Sequence, residues 1–264
     1  MTDIASTRPT RPRPRPRTLG ITLVLVAFTV FAAREVSFSF STFWEVWSNP
    51  LWEKFWPIPW GWVLDGDNVI KPLVETFQIA VVSTVIGCGL ALPISFAMSP
   101  LTTPNRPTHL ISRAVMNVVR AVPDLFWAKL LVTAIGIGAF AGSWALSVFS
   151  LAVMVKLFSE TIDSADPGPL EAARAAGGRH TPVVRTGMLP TVLPAYVAYA
   201  LYVFELNIRA SVVLGLVGAG GIGRVLEAQR QFFKFDRILG ILVLIFVIVW
   251  IVDQISVALR KRLV

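Results

Sequence analysis

Charged side chains inside long apolar stretches are the residues of this sequence best placed to do chemistry. Three pairs of opposite charge are spaced four positions apart: Arg120 with Asp124, Lys156 with Glu160, and Glu205 with Arg209. That spacing places both members of a pair on one face of a helix. A further cation, Lys129, has no opposite charge at this spacing. Charges within apolar segments are costly unless they are paired or hydrated, so each is a candidate functional residue.

Two interpretations of these charges stay open. In the first, the pairs neutralise themselves and stabilise helix packing, or the long side chains reach toward water. In the second, the four basic residues line a path for an anion, which needs hydrogen-bond donors in place of its lost water. These residues are Arg120, Lys129, Lys156 and Arg209. The carboxylates then neutralise the path when it is empty. If the second interpretation holds, Arg209→Ala should reduce transport without reducing assembly.

Several other motifs are weak or absent. The glycines of Gly218-x-Gly220-x-x-Gly223 fit a dinucleotide fingerprint, but that fingerprint needs a βαβ unit and an acidic residue about 20 positions on. Positions 238–252 are uncharged instead. The glycines therefore predict a tight turn with close backbone approach. Because the dipeptide Gly-Lys never occurs, the chain has no P-loop for ATP. The two histidines, His109 and His180, are far apart, so no metal site is expected.

The composition indicates a membrane protein. The chain has 264 residues, of which 55% are apolar and 15% charged, whereas soluble domains are about 25% charged. The net charge of +8 does not indicate nucleic-acid binding, because the basic residues lie in short segments beside apolar runs. A disulfide within the chain is excluded, because Cys88 is the single cysteine. We therefore expect an all-α membrane protein.

The apolar runs predict about six transmembrane helices. A helix needs about 20 apolar residues to cross a bilayer of about 30 Å. The segments that meet or nearly meet this length are 19–33, 74–99, 112–135, 139–161, 189–213 and 238–259. Basic loops lie on the cytoplasmic side, which places both termini there. A cleaved signal peptide is the alternative for the first segment, but the long Arg-Pro repeat before it favours an uncleaved helix.

Three regions follow from this pattern. Residues 1–18 form a basic Arg/Pro tail, expected to be extended because alternating prolines cannot form ladder hydrogen bonds. Residues 19–71 hold the first helix and an outer loop rich in tryptophan, and residues 72–264 form the main helical core. The loop tryptophans are Trp44, Trp47, Trp52, Trp56, Trp60 and Trp62. They predict a position at the outer membrane interface, with a partner-docking surface as the alternative.

A short helix is predicted between the fourth and fifth segments, at about 164–178. Asp166 can cap it, prolines fit its first turn, and an alanine-rich run follows. Gly177-Gly178 is a typical helix end. This helix would lie in the cytoplasm with a small-residue face that fits a groove. An ordinary amphipathic connector is the other interpretation.

The order Glu171-Ala172-Ala173, then Gly177, then Leu189-Pro190 resembles the EAA loop of bacterial ABC importer permeases. In that family the loop is the coupling helix, which sits in a cleft of the ATPase subunit. One departure is Gly187, where the family usually has an aliphatic residue, and we expect this to weaken the anchor of the turn. A wider similarity over 72–260 points to the phosphonate/phosphate branch, through stretches 120–124, 166–169, 204–211 and 213–223.

The resemblance implies a type I importer with a MetI-like permease core. Two copies of this chain would work with two ATPase subunits, which bind ATP and Mg, and with one extracytoplasmic solute-binding protein. The chain itself would carry no cofactor and would not be an enzyme. The expected function is import of phosphonate, phosphate or phosphite. Two alternatives stay open: a permease for methionine or a quaternary amine, and an ATP-independent channel or membrane enzyme.

Overall fold

The computed structural model describes residues 16–36, 39–48 and 50–262, and within those ranges it contains helices and turns but no strand. The helices are α1 (Pro16–Glu35), α2 (Phe40–Ser48), α3 (Trp60–Val63), α4 (Lys71–Met98), α5 (Arg106–Ala121), α6 (Asp124–Ile135), α7 (Ala139–Ser164), α8 (Gly168–Ala175), α9 (His180–Val183), α10 (Leu189–Gly215), α11 (Gly221–Gln231) and α12 (Phe235–Arg260). A 3₁₀ turn (Pro50–Phe55) and two wider π-type turns (Gly66–Ile70 and Val184–Met188) complete the set.

The chain divides into two compact units, the first ending at Glu53 and the second beginning at Lys54. The first unit contains α1, which includes the segment 19–33 predicted to be a helix. Its aliphatic and aromatic side chains are exposed along the helix, among them Leu23 and Phe28. Residues 1–15, most of the predicted Arg/Pro tail, lie outside the described residues.

Four helices in the described part of the chain are long and apolar enough to cross a membrane. They are Gly66–Met98, Ala139–Ser164, His180–Gly215 and Phe235–Arg260. The first begins with the π-type turn Gly66–Ile70, which continues directly into α4, and the third joins α9 to α10 through the π-type turn Val184–Met188. The predicted segments 74–99, 139–161, 189–213 and 238–259 are thereby confirmed as long apolar helices.

The predicted segment 112–135 is not a single helix. It forms α5 and α6, of 16 and 12 residues, each shorter than the roughly 20 residues needed to span a bilayer alone. Between them Val122 is extended, with φ −87° and ψ 124°. The cause is Pro123, which has no N–H to donate and whose ring keeps the preceding residue out of the helical region.

The second unit is built around α4, α7 and α10. The first two approach closely because Gly87 has no side chain: a Cβ there would lie 2.7 Å from the Ser147 carbonyl oxygen. At the same level Asn207 on α10 donates from Nδ2 to Thr84 Oγ1 (2.8 Å) and to Ser150 Oγ (2.7 Å). Hydrogen bonds between polar side chains help to hold helices together in lipid, so this contact fixes the three central helices against one another.

The glycine-rich turn joins α10 to α11. Gly218, Gly220 and Gly221 all have positive φ, which glycine adopts without strain. The turn is held from α4 by Thr76, whose Oγ1 accepts the Ile222 N–H at 2.8 Å. No strand precedes it among the described residues. The prediction of a tight turn is confirmed, and the dinucleotide interpretation is excluded.

The tryptophan-rich segment carries exposed rings. Trp44 belongs to the first unit, and Trp56 and Trp60 belong to the second; all three rings are largely exposed. Trp62 is half-buried, and the Arg237 guanidinium lies 4.5 Å from its ring centroid. A position at the outer membrane interface stays a prediction.

Candidate functional site

The short helix predicted at about 164–178 is present as α8. At its start, Asp166 Oδ1 accepts the Gly168 N–H at 2.9 Å. At its end, Gly177 has φ +79° and donates to the Arg174 carbonyl, while Gly178 donates to the Ala173 carbonyl at 3.3 Å. These two bonds form a Schellman motif, which the glycine pair had indicated. The local sequence therefore sets both ends of α8.

One side chain anchors α8 to the bundle. Leu170 is fully buried in a cluster with Phe158 of α7 and with Val183, Met188 and Val192 of the α9–α10 segment. Of the predicted coupling residues, Glu171, Ala172, Gly177 and Pro190 are exposed, whereas Ala173 and Leu189 are half-buried. The structure therefore leaves one surface of α8 uncovered while the opposite side is packed against the bundle.

Two polar contacts attach this region to the α4–α5 loop, and sequence reasoning missed both. Arg174 donates to the Leu101 carbonyl at 2.9 Å, and Ser99 donates to Asp163 Oδ1 at 2.5 Å. Each joins residues more than sixty positions apart, so no local pattern could reveal it. The Arg174 contact joins α8 to the α4–α5 loop, the Ser99 contact joins the end of α4 to α7, and Leu170 packs α8 against α7 and α10.

Gly187 has the opposite effect to the one expected. The sequence predicted that glycine at this position weakens the anchor, because an aliphatic side chain is missing. In the structure Gly187 is buried, and a Cβ there would lie 2.8 Å from the Pro169 carbonyl oxygen and 3.1 Å from the Leu170 Cα. The missing side chain lets the backbone of α8 rest directly on the π-type turn Val184–Met188, so the contact is closer than a side chain would permit.

A charged cleft lies at the break between α5 and α6. Its volume is about 430 Å³, and its charged lining residues are Arg120, Asp124 and Lys156. Val122, Pro123 and Trp127 supply part of its apolar wall. The structure therefore brings together three of the predicted path residues from three different helices.

The predicted pair Arg120–Asp124 is wrong. No salt bridge joins these residues, because the helix is interrupted at Val122-Pro123 and the four-residue rule needs a continuous helix. Asp124 Oδ1 instead accepts its neighbour's N–H, that of Leu125, at 2.9 Å. The predicted pair Lys156–Glu160 does form, since α7 is continuous through both.

The third predicted pair, Glu205–Arg209, is confirmed as a salt bridge on α10. It has a member that the sequence did not reveal: Arg260 Nη2 lies 3.4 Å from Glu205 Oε2. The Glu205 side chain is 6% exposed, whereas those of Arg209 and Arg260 are 51% and 28% exposed. One nearly buried carboxylate is therefore shared by two cations, one of them from the end of α12.

Lys129 lies apart from both clusters. It lines a separate shallow cleft of about 330 Å³ with Phe126, Leu130, Thr133 and Ala134. No carboxylate in the described ranges forms a salt bridge with it. Nor do the described residues contain a group of acidic, histidine or cysteine side chains able to hold a metal ion.

Residues 89–264 match the family described as the inner membrane component of binding-protein-dependent transport systems. The match covers most of the chain, and the chain belongs to this family. With four long apolar helices it is a multi-pass membrane protein.

Named relatives and a solved structure sharpen the comparison. The chain is 37% identical over 199 residues (75% of its length) to the phosphate-import permease protein PhnE of Mycolicibacterium smegmatis, and it spans 37% of that protein. It is 36% identical over 193 residues (73% of its length) to the phosphite transport system permease protein PtxC of Stutzerimonas stutzeri, and spans 70% of it.

The inward-facing methionine ABC transporter MetNI superposes on the chain with a TM-score of 0.65 at 20% identity, covering 75% of this chain and 96% of that one. Identity this low supports the fold alone, and it confirms the predicted MetI-like permease core.

Proposed function

We propose that this chain is the permease subunit of an ABC importer for a phosphorus oxyanion: phosphate, phosphite or a phosphonate. The family supplies the transport role, and the relatives at 36–37% identity are named for phosphate and phosphite. The basic side chains around the charged cleft are suited to a small anion. The same charges are less suited to methionine, whose side chain is apolar.

The observation that carries the coupling role is the form of α8. Its Glu171-Ala172 surface is exposed, while Leu170 on the other side is fully buried. A partner that displaces α8 would therefore displace the ends of α4, α7 and α10 with it. We propose that this partner is an ATPase subunit, since the chain has no P-loop of its own. ATP and Mg would be bound by that subunit, and this chain would carry no cofactor.

The full assembly follows from the same proposal. Two copies of this chain would form the pore, two ATPase subunits would bind the two α8 helices, and a solute-binding protein would deliver the anion from outside. The chain would lie in the bacterial plasma membrane with both termini in the cytoplasm. The basic residues at the end of α12, from Arg260 to Arg262, agree with that orientation.

Uptake of labelled phosphate tests the substrate class, in cells with and without this chain. Phosphite, methylphosphonate and methionine serve as competitors. We expect uptake to require the chain, and phosphorus compounds to compete while methionine does not. Competition by methionine alone, or uptake independent of the chain, would remove the oxyanion assignment.

Two variants test the coupling role. Glu171→Arg places a cation on the exposed surface of α8, and Gly177→Val places a branched side chain at φ +79°, where it is strained by about 1–2 kcal/mol. Both should leave ATP hydrolysis running while uptake falls at least several-fold. Gly177→Asn is the matched control, because asparagine tolerates positive φ, and it should retain most uptake. Normal uptake in Glu171→Arg and Gly177→Val would rule out docking through this surface.

A further inference from the structure

The proposed transport role does not by itself assign a function to the charged residues of the cleft. Arg120 lies in the last turn of α5, Asp124 begins α6, and Lys156 lines the same cleft from α7. We propose that this cleft is a weak binding site for a phosphorus oxyanion in transit, with Arg120 and Lys156 as donors and Asp124 as the residue that limits the affinity. The proposal rests on the proposed import of such anions.

The first argument for an anion site is the position of Arg120. This residue lies 14 residues beyond the start of α5, roughly 21 Å along the helix axis. Its side chain lines a cleft whose walls are largely apolar, where a counter-charge would stabilise the guanidinium. No carboxylate of the described residues lies within salt-bridge distance of it. A bound anion would supply that counter-charge, and a guanidinium can offer two parallel N–H donors to an oxyanion.

The sign of the cleft is set by its side chains rather than by the helix ends. The carbonyl end of α5 and the amide end of α6 both face the break at Val122-Pro123, so their partial charges offset one another. Two cations and one carboxylate line the cleft. Lys156 is also bound to Glu160, which is half-exposed, so an entering anion competes with that carboxylate for the ammonium group.

Asp124 explains why binding is weak. Its carboxylate is held in place by the Leu125 N–H, at the edge of the same cleft as Arg120. A fixed negative charge there repels a bound anion, which helps it to leave. A transport path needs sites that bind enough to admit the solute and release it again. The cleft of about 430 Å³ also leaves room for water around a small tetrahedral anion.

The other basic residues differ from Arg120 in surroundings. Arg209 is bound to the nearly buried Glu205, and Lys129 lines a different cleft.

Two charge changes in the charged cleft should have opposite effects on anion binding. Arg120→Gln should weaken anion binding, whereas Asp124→Asn should strengthen it.

Thiol labelling in the assembled transporter tests this directly. Cys88 is replaced by alanine, and Val153, which lines the cleft, is replaced by cysteine. Two thiosulfonate reagents of similar size, one anionic and one cationic, are compared in membranes, and retained uptake shows that the variant is folded. The anionic reagent should react roughly tenfold faster, as expected for about one net charge within 10 Å. Inorganic phosphate at millimolar concentration should protect the thiol, and chloride at equal ionic strength should not.

The charge variants complete the test in that background. Arg120→Gln should abolish the preference and the protection, Arg120→Lys should keep most of both, and Asp124→Asn should lower the phosphate concentration that protects. Arg113→Gln, on the same helix but outside the cleft, is the control and should change neither. An unreactive thiol, equal rates without protection, or shifts in the same direction for Arg120→Gln and Asp124→Asn would overturn the binding site. If phosphate uptake still required the chain, the proposed function would survive that result.

Discussion

The two charge clusters of this chain look alike in sequence and differ in structure. Glu205 and Arg209 lie on one continuous helix, where Arg260 joins them and the carboxylate is nearly buried. Arg120 and Asp124 have the same spacing, but a proline break separates them and both line an open cleft. The first cluster satisfies its own charges, and the second leaves a cation without a protein partner. Charge spacing therefore indicates pairing only where the helix is unbroken.

Of the variants that test this difference, Glu205→Gln should cause the largest loss of stability. This change leaves Arg209 and Arg260 without their shared counter-charge. A fully buried pair costs roughly 3–5 kcal/mol when one partner is removed; here we expect about 2–3 kcal/mol, because Arg209 is half-exposed. Thermal unfolding of the purified chain in detergent measures it. Glu160→Gln is the matched control, since its pair with Lys156 is well exposed, and it should change stability by less than about 1 kcal/mol.

The next largest effect is the difference in assembly between removing Arg209 alone and removing both Arg209 and Arg260. Arg209→Ala should leave assembly intact, because Arg260 still neutralises Glu205. The double variant Arg209→Ala with Arg260→Ala should lose most of the assembled protein, because Glu205 is then buried without a cation. Co-purification with the ATPase subunits measures assembly. Equal assembly of the double variant and the wild type would show that the cluster is not a stabilising one.

Arg120→Gln should have the reverse profile of Glu205→Gln. Because Arg120 is exposed and forms no salt bridge with any described residue, the unfolding midpoint should be nearly unchanged. Uptake of phosphate should fall on the order of tenfold, corresponding to about 1.4 kcal/mol of lost interaction with the anion. A large loss of stability with normal uptake per assembled transporter would show that Arg120, like the Glu205 cluster, stabilises the fold rather than binding the anion.

The smallest effect is expected from Lys129→Gln. This cation was grouped with the path residues from sequence, but it lines a cleft separate from that of Arg120 and Lys156. Its removal should reduce uptake less than Arg120→Gln does. Transport assays of the two variants, normalised to the amount of assembled protein, decide this. A larger loss for Lys129→Gln would move the path toward the second cleft.

Short-range features of the chain were predictable. The ends of α8 depend on Asp166 and on the pair Gly177-Gly178, which act through bonds to residues a few positions away. The long apolar helices depend on uninterrupted apolar runs, and the pairs on α7 and α10 depend on helical continuity. Each follows from local geometry, which the sequence contains.

Tertiary contacts were not predictable in the same way. Arg260 reaches Glu205 across 55 positions, and Arg174 reaches Leu101 across 73. Gly187 was expected to weaken the packing of this turn. In the structure its missing side chain instead lets the turn approach the backbone at Pro169 and Leu170. No residue close to Gly187 in the sequence indicates that Pro169 and Leu170 pack against it.

The sequence alone determined a helical membrane protein, the position of the short helix α8 and the presence of basic residues among apolar ones, because composition, period and capping act over a few residues. Only the tertiary structure decided which charges meet. Helix packing brings Lys156 to the cleft beside Arg120 and brings Arg260 to Glu205, while the break at Val122-Pro123 leaves Arg120 and Asp124 without a salt bridge. Those positions depend on how whole helices pack, which no spacing along the chain specifies.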